Sequence, residues 1–226
     1  MIKRLVDFQK RHPFTALMLI AIIVRLLVVI FAQGYGSHAE MQRPSLIFAL
    51  MKHIQRGTTH LFHNENVAMF LSRAFYTLVS LFTISMVYRI TDLLSNKKTA
   101  WIIALIPTFS CIMPSFGIIS GINAFVAAPF LLYGCMVVLR QEILRKAQMN
   151  ESVHRTSFFF AGLGFGLAAC IWPACVLFIL SILLILLILK NPKGALIALL
   201  GCVVTIALIV IILLLCHINP LDYMML

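Results

Sequence analysis

The sequence predicts an all-α, polytopic membrane helix bundle, and three observations carry that prediction. Of 226 residues, 62% are apolar and 11% are charged, and the mean hydropathy is +1.04. A soluble domain is about 45–50% apolar and about 25% charged, so charge this sparse cannot clothe a water-facing surface. Apolar runs recur along the whole chain at lengths near the ~20 residues that one helix needs to cross a bilayer. Basic residues gather in alternate connections between those runs, as the positive-inside rule requires.

The same numbers exclude other classes. A net charge of +11 on a soluble protein would point to nucleic acid. Here no basic patch is interleaved with aromatics on a polar domain, so no nucleic-acid partner is expected. No polar stretch is long enough to hold a soluble catalytic domain. Cys111, Cys135, Cys170, Cys175, Cys202 and Cys216 lie in or beside apolar runs and form no CxxC pair. They read as small helix- or lipid-facing residues rather than a disulfide framework.

The whole of 1–226 reads as a single membrane domain. The basic N-terminus, 1–12, is expected in the cytoplasm. Span 1 runs over Pro13–Ala32, too long for a signal-peptide core and without a small-residue cleavage pattern. A His-rich first outer loop, 33–66, follows. Within it, Leu46, Ile47, Leu50, Met51 and Ile54 share one helix face, which predicts a short amphipathic helix on the outer leaflet or packed on the bundle. Span 2 covers Val67–Tyr88, and span 3 covers Thr99–Phe116 with breaks at Pro107 and Pro114. Span 4 covers Ile122–Leu139 and leads into a charged cytoplasmic loop, 140–156. The run Ser157–Leu189 is about twice one span, with Trp172-Pro173 near its middle, so it predicts a helical hairpin of spans 5 and 6. Lys190–Gly194 is a turn, span 7 covers Ala195–Cys216, and 217–226 is an outer tail.

Charge counting orients these seven spans. With the N-terminus inside, Lys3, Arg4, Lys10, Arg11, Arg89, Lys97, Lys98, Arg140, Arg145, Lys146, Arg155, Lys190 and Lys193 face the cytoplasm. Only Arg43, Lys52, Arg56 and Arg73 face outward. Thirteen against four is a strong bias, and it places the C-terminus outside.

Several residues are candidates for chemistry. Arg25 lies about twelve residues into span 1, where a charge is costly and faces protein or water; a phosphate-binding role and a structural role both fit. Arg73, near the outer end of span 2, can snorkel to the surface or meet a lipid phosphate. His38, His60, His63 and Glu65 crowd one loop, but Gly57-Thr58-Thr59 argues against a helix that would align them, so no metal site is assigned. Ser157–Leu189 and Ala195–Cys216 carry no charged residue, which argues against an ion-coupled transporter. Gly162, Gly164 and Gly166 permit close helix packing.

The order of features resembles a known family. Gly34-Tyr35-Gly36-Ser37-His38-Ala39-Glu40 follows a span with an internal Arg. Then come Arg73, Tyr88–Lys98, Met113-Pro114, Pro129–Gly134, Phe159–Ala168 and Lys193-Gly194-Ala195. This series is similar to the GT-C superfamily of membrane glycosyltransferases, nearest to bacterial relatives of the N-glycan and GPI-anchor mannosyltransferases. The resemblance covers nearly the whole chain as an N-terminal seven-span module. It implies transfer of a sugar, with mannose as one candidate, from a polyprenyl-phosphate donor at the outer face of a bacterial cytoplasmic membrane. Glu40 would serve as catalytic base with His38 beside it, within hydrogen-bond reach of the acceptor hydroxyl. Arg25 or Arg73 would lie near the donor phosphate, whose charge grows as the glycosidic bond breaks. A divalent cation is the one cofactor the resemblance leaves open.

The departures from the pattern are specific. Ala39 stands where similar sequences carry a first acid. Ile119–Ala124 is uncharged where they carry Arg-Asn and an acid, and Ile171-Trp172-Pro173 lacks their Arg. Similar sequences also continue beyond a seventh span. The alternative expectation is therefore a truncated, inactive relative that binds a lipid or a second membrane subunit.

Overall fold

The computed structural model describes residue 9 and residues 11–31, 65–109, 123–147 and 154–216, with the backbone alone at 28–31, 65–73, 76 and 123. Seven helices make up these residues: α1 (Pro13–Phe31), α2 (Glu65–Leu94), α3 (Lys97–Phe109), α4 (Asn123–Lys146), α5 (Arg155–Ile171), α6 (Cys175–Ile188) and α7 (Pro192–Leu215). No strand occurs among the described residues. Three helical segments, Thr77–Leu94, Ala124–Lys146 and Pro192–Leu215, are long and apolar enough to cross a membrane. Pro13–Leu27, α5 and α6 are shorter apolar segments. The outer amphipathic helix expected at Ser45–Gln55 lies outside the described residues.

The described residues fall into two compact units. In the first, α1, α2 and α3 meet along three stripes of four-residue spacing. Leu17, Ala21 and Arg25 face Ser80, Ile84 and Tyr88, together with Ala100, Ala104 and Thr108; all are buried. Residues four apart stack on one helix face, and alanine at 100 and 104 lets α3 approach closely. The Phe14 and Tyr88 rings lie 5.3 Å apart at one end of the stripes, while Arg25 bonds Ser80 at the other. These two pairs make α1 and α2 antiparallel.

The second unit is built on α5 and α7, which run parallel. Gly162 and Gly166 of α5 face Ala198, Cys202 and Thr205 of α7, and Gly201 faces the Phe159 carbonyl. A side chain at Gly162 would meet the Ala198 carbonyl, part of the backbone. The spacing of Gly162 and Gly166 is the small-xxx-small pattern of close helix packing. The Thr205 hydroxyl bonds the Gly201 carbonyl at 3.0 Å and reaches the Leu163 carbonyl of α5 at 3.4 Å. On its other side α5 presents Gly164 to Phe130 and Tyr133, and Phe165 fills the space left by Gly134 of α4.

The elements depart from sequence expectation in three places. The charged stretch 140–156 is not wholly loop, because α4 continues to Lys146. Pro107 does not break its helix; α3 runs two residues further, to Phe109. The hairpin expected at Trp172-Pro173 is present, but its arms are only 17 and 14 residues long.

Gly162→Ala places a methyl group against main chain that no rotamer change can move. It is expected to cost about 1–3 kcal/mol, the range for overpacking, and to lower the unfolding midpoint in detergent. Ala161→Gly, on the same helix, is the control that opens space rather than closing it.

Candidate functional site

A polar layer closes one end of the three-helix unit. The Arg25 side chain is fully buried. Its Nε donates to the Ser80 hydroxyl at 2.6 Å. Nη1 donates to the Thr108 carbonyl and Nη2 to the Pro107 carbonyl, each at 2.8 Å. The two carbonyls lie in the last described turn of α3, and a charged donor makes stronger hydrogen bonds to such oxygens than a neutral one would. The planar guanidinium fork suits two neighbouring oxygens better than an ammonium would. Thr108 completes the layer by turning its own hydroxyl back to Ala104 at 2.8 Å.

The remaining residues singled out from sequence are placed as follows. Arg73 lies on α2 seven residues before Ser80. By helix periodicity that is two turns further from Tyr88 on the same face, about 10 Å beyond the Arg25 layer. His38, Glu40, His60 and His63 lie outside the described residues, and Glu65 is described by its backbone at the first position of α2. Among the described residues, no three His, Cys, Asp or Glu side chains gather to hold a metal. The structure thus brings Arg25 together with Ser80 and the end of α3. Of the sequence candidates, Arg25 alone has a described side-chain environment.

A second polar network was not expected from the sequence. It ties together three chain segments at one end of the α4–α7 unit. Glu142 of α4, 4% exposed, accepts from Arg145 at 2.8 Å and from Asn191 Nδ2 at 2.5 Å. Arg145 also donates to the Leu189 carbonyl at 2.6 Å, with a long 3.4 Å contact to the Lys190 carbonyl. Asn191 in turn caps α7, its Oδ1 accepting from the Gly194 N–H at 3.0 Å, with Pro192 behind it. A Cβ at Gly194 would press on the end of the Asn191 side chain and displace the cap. Gln141 accepts from the His154 N–H at 3.2 Å and joins the start of α5 to the same end.

The end of α6 inside this network is a Schellman turn. The Asn191 N–H bonds the Leu186 carbonyl and the Lys190 N–H bonds the Leu187 carbonyl, both at 2.9 Å. Lys190 holds φ at 58°, a left-handed position that glycine usually fills. Two signals in the sequence mark the network: the i,i+3 pair Glu142/Arg145 and the cap pattern Asn191-Pro192. Neither reveals that the two meet.

Chemically, both networks join helix ends. Each uses an arginine fork on two consecutive carbonyls, and in each the described polar partners satisfy one another. No known protein family, curated protein or solved structure matches the chain.

Ser80→Ala leaves the Arg25 Nε–H buried without this acceptor and is expected to cost about 1–3 kcal/mol. Arg25→Lys keeps the charge but cannot span both carbonyls, so it is expected to destabilise at least as much. Detergent-solubilised unfolding followed by circular dichroism reads both. In the second unit, Asn191→Ala is expected to cost about 1 kcal/mol for the lost cap and to expose α7's first turn to faster hydrogen exchange.

Proposed function

We propose that this chain is a seven-span membrane protein of GT-C type, with its N-terminus in the cytoplasm. It would use a polyprenyl-phosphate-linked sugar at the outer face of a bacterial cytoplasmic membrane. The observation that carries the membrane part of this reading is the depth of Arg25. Phe14, whose ring lies 5.7 Å from the Arg89 guanidinium, marks the basic end of the first unit. Arg25 is eleven residues further along α1, about 16 Å by helix rise. With Phe14 at the inner boundary, Arg25 falls near the middle of a ~30 Å hydrocarbon core. An intramembrane arginine must face the bundle interior and find partners, and Ser80 and the α3 carbonyls supply them.

The glycosyltransferase part rests on the ordered sequence series that opens with the loop carrying His38 and Glu40. In this reading Glu40 removes the proton from an acceptor hydroxyl, whose oxygen attacks the sugar's anomeric carbon while polyprenyl phosphate leaves. His38 supports the carboxylate. Arg25, already committed to the α3 carbonyls, contributes positive potential beneath the site, and Arg73, nearer the outer boundary by backbone position, is the better-placed cation for the phosphate. Ala39 and the uncharged Ile119–Ala124 favour a second reading, a non-catalytic relative that binds a lipid or a membrane partner subunit.

Purified, reconstituted protein is expected to transfer sugar from a polyprenyl-phosphate donor, and Glu40→Gln is expected to reduce turnover by at least about a hundredfold, the range for a lost general base. Turnover unchanged in that variant refutes the role of Glu40. Absence of turnover together with co-purification of a second membrane subunit supports the non-catalytic reading instead. Reporter fusions after residues 12, 64, 147 and 216 test the topology: inside, outside, inside, outside.

A further inference from the structure

We propose that the α5–α6 hairpin thins the bilayer beside α6 and favours shorter acyl chains as its lipid neighbours. The inference rests on the reading that 157–189 crosses the membrane twice, and begins from the hairpin's two ends. One end is the Arg145–Glu142–Asn191 network with exposed Lys190 and Lys193, which belongs in water or among headgroups. The other is the turn Trp172-Pro173-Ala174.

That second turn has no polar side chain to serve its backbone. Trp172 N–H closes on the Ala168 carbonyl, and Cys175, Val176 and Leu177 N–H groups take the Trp172, Pro173 and Ala174 carbonyls. The Ala169 carbonyl has no N–H four residues on, because that residue is Pro173. No charged residue occurs between Ser157 and Leu189, so no arginine fork can reach this helix end from within the hairpin. Hydrocarbon cannot satisfy such carbonyls. The turn must therefore reach the headgroup layer, where the Trp172 ring, 36% exposed, is at home.

The distance between the two ends then bounds the membrane. The 14 residues of α6, with the hydrogen-bonded turns that carry the chain on to Trp172 and Lys190, give about 25 Å and the 17 of α5 about 26 Å, against a typical core of ~30 Å. By contrast, Ala195–Leu215 of α7 is 21 residues, about 31 Å, and matches an ordinary core. The mismatch belongs to the α6 flank.

The α6 surface is also suited to acyl chains. Leu177 is 71% exposed and Ile188 69%, with Phe178, Leu180, Leu184, Ile185 and Leu187 all more than half exposed. Its one hydroxyl, Ser181, is turned back to the Leu177 carbonyl at 2.9 Å. A span shorter than the core is accommodated by thinning at a cost of a fraction of a kcal/mol per Å of mismatch. Shorter lipids remove that cost.

The test uses the full chain with Trp101→Phe, which leaves Trp172 as the sole tryptophan. The Trp101 Nε1 has no hydrogen-bond partner among the described residues, so the change removes no bond seen there. Reconstituted into brominated phosphatidylcholines, Trp172 is expected to be quenched most by bromines near the headgroup. In competition between chains of about fourteen and about twenty carbons, the shorter lipid is expected to bind about threefold better or more. Headgroup depth with no preference, or with preference for long chains, overturns thinning while leaving the double crossing intact. Quenching strongest at the bilayer centre overturns the double crossing, and thinning with it. Quenching that falls as protein is concentrated shows a second copy covering α6, and overturns lipid as its occupant. Four leucines inserted after Leu183 lengthen α6 by about 6 Å and are expected to move the preference toward longer chains. An unmoved preference overturns the proposal, and if that variant does not fold, the Trp101→Phe series decides alone.

Discussion

The constraint on which the described structure depends is the carbonyl at the end of a helix. Every α-helix leaves its last C=O groups without a partner, and in an apolar solvent each such group is costly. Among the described residues an arginine forks onto backbone carbonyls twice. Arg25 forks onto the Pro107 and Thr108 carbonyls in the last described turn of α3. Arg145 reaches the Leu189 and Lys190 carbonyls that end α6. In both cases the guanidinium also bonds a side-chain oxygen, Ser80 of α2 for Arg25 and Glu142 of its own helix for Arg145. One side chain thus satisfies a terminus and fixes how helices meet. The two arginines differ in surroundings: Arg25 is fully buried, whereas the Arg145 side chain is 31% exposed. The bonds of Arg145 contribute less to stability for that reason, because water competes for the same groups.

How much of this is legible in the sequence follows from which interactions are local. The hairpin at Trp172-Pro173 is legible, because proline's missing N–H and the absence of charge on either side are properties of adjacent residues. The packing of Gly162 and Gly166 is legible as a spacing, though its partners on α7 are not. The cost of placing Arg25 within span 1 is legible, but its partners are not. They come from residues 55 and 83 positions away, and nothing in the local pattern names them. Pro107 misleads as well. Locally it predicts a break, whereas α3 continues to Phe109. The charged run after Arg140 misleads in the opposite way. Its charges suggest loop, yet Glu142 and Arg145 neutralise one another one turn apart and so allow the helix to persist.

The candidate catalytic residues are legible only through resemblance. A lone Glu40 beside His38 has no spacing that distinguishes a base from a solvated carboxylate. The neighbouring sequence gives the pair its meaning, and Ala39 weakens it. Fold alone does not establish chemistry.

The comparison of helix ends leads one step further. The end of α6 bonds an arginine, whereas α5 finishes against Pro173 with no charged residue near in sequence. In the proposed double crossing the end of α5 must therefore meet water at the headgroup layer, which can supply the hydrogen bonds that hydrocarbon cannot. Lys190 marks the opposite end of α6. A left-handed lysine is less favourable than glycine by about 1 kcal/mol, and the exposed Lys190 takes that conformation to close the Schellman turn that ends α6. Between Lys190 and the Trp172 turn the chain supplies 14 helical residues in α6 and almost nothing polar, and the proposed preference for a thinner bilayer rests on this length rather than on composition.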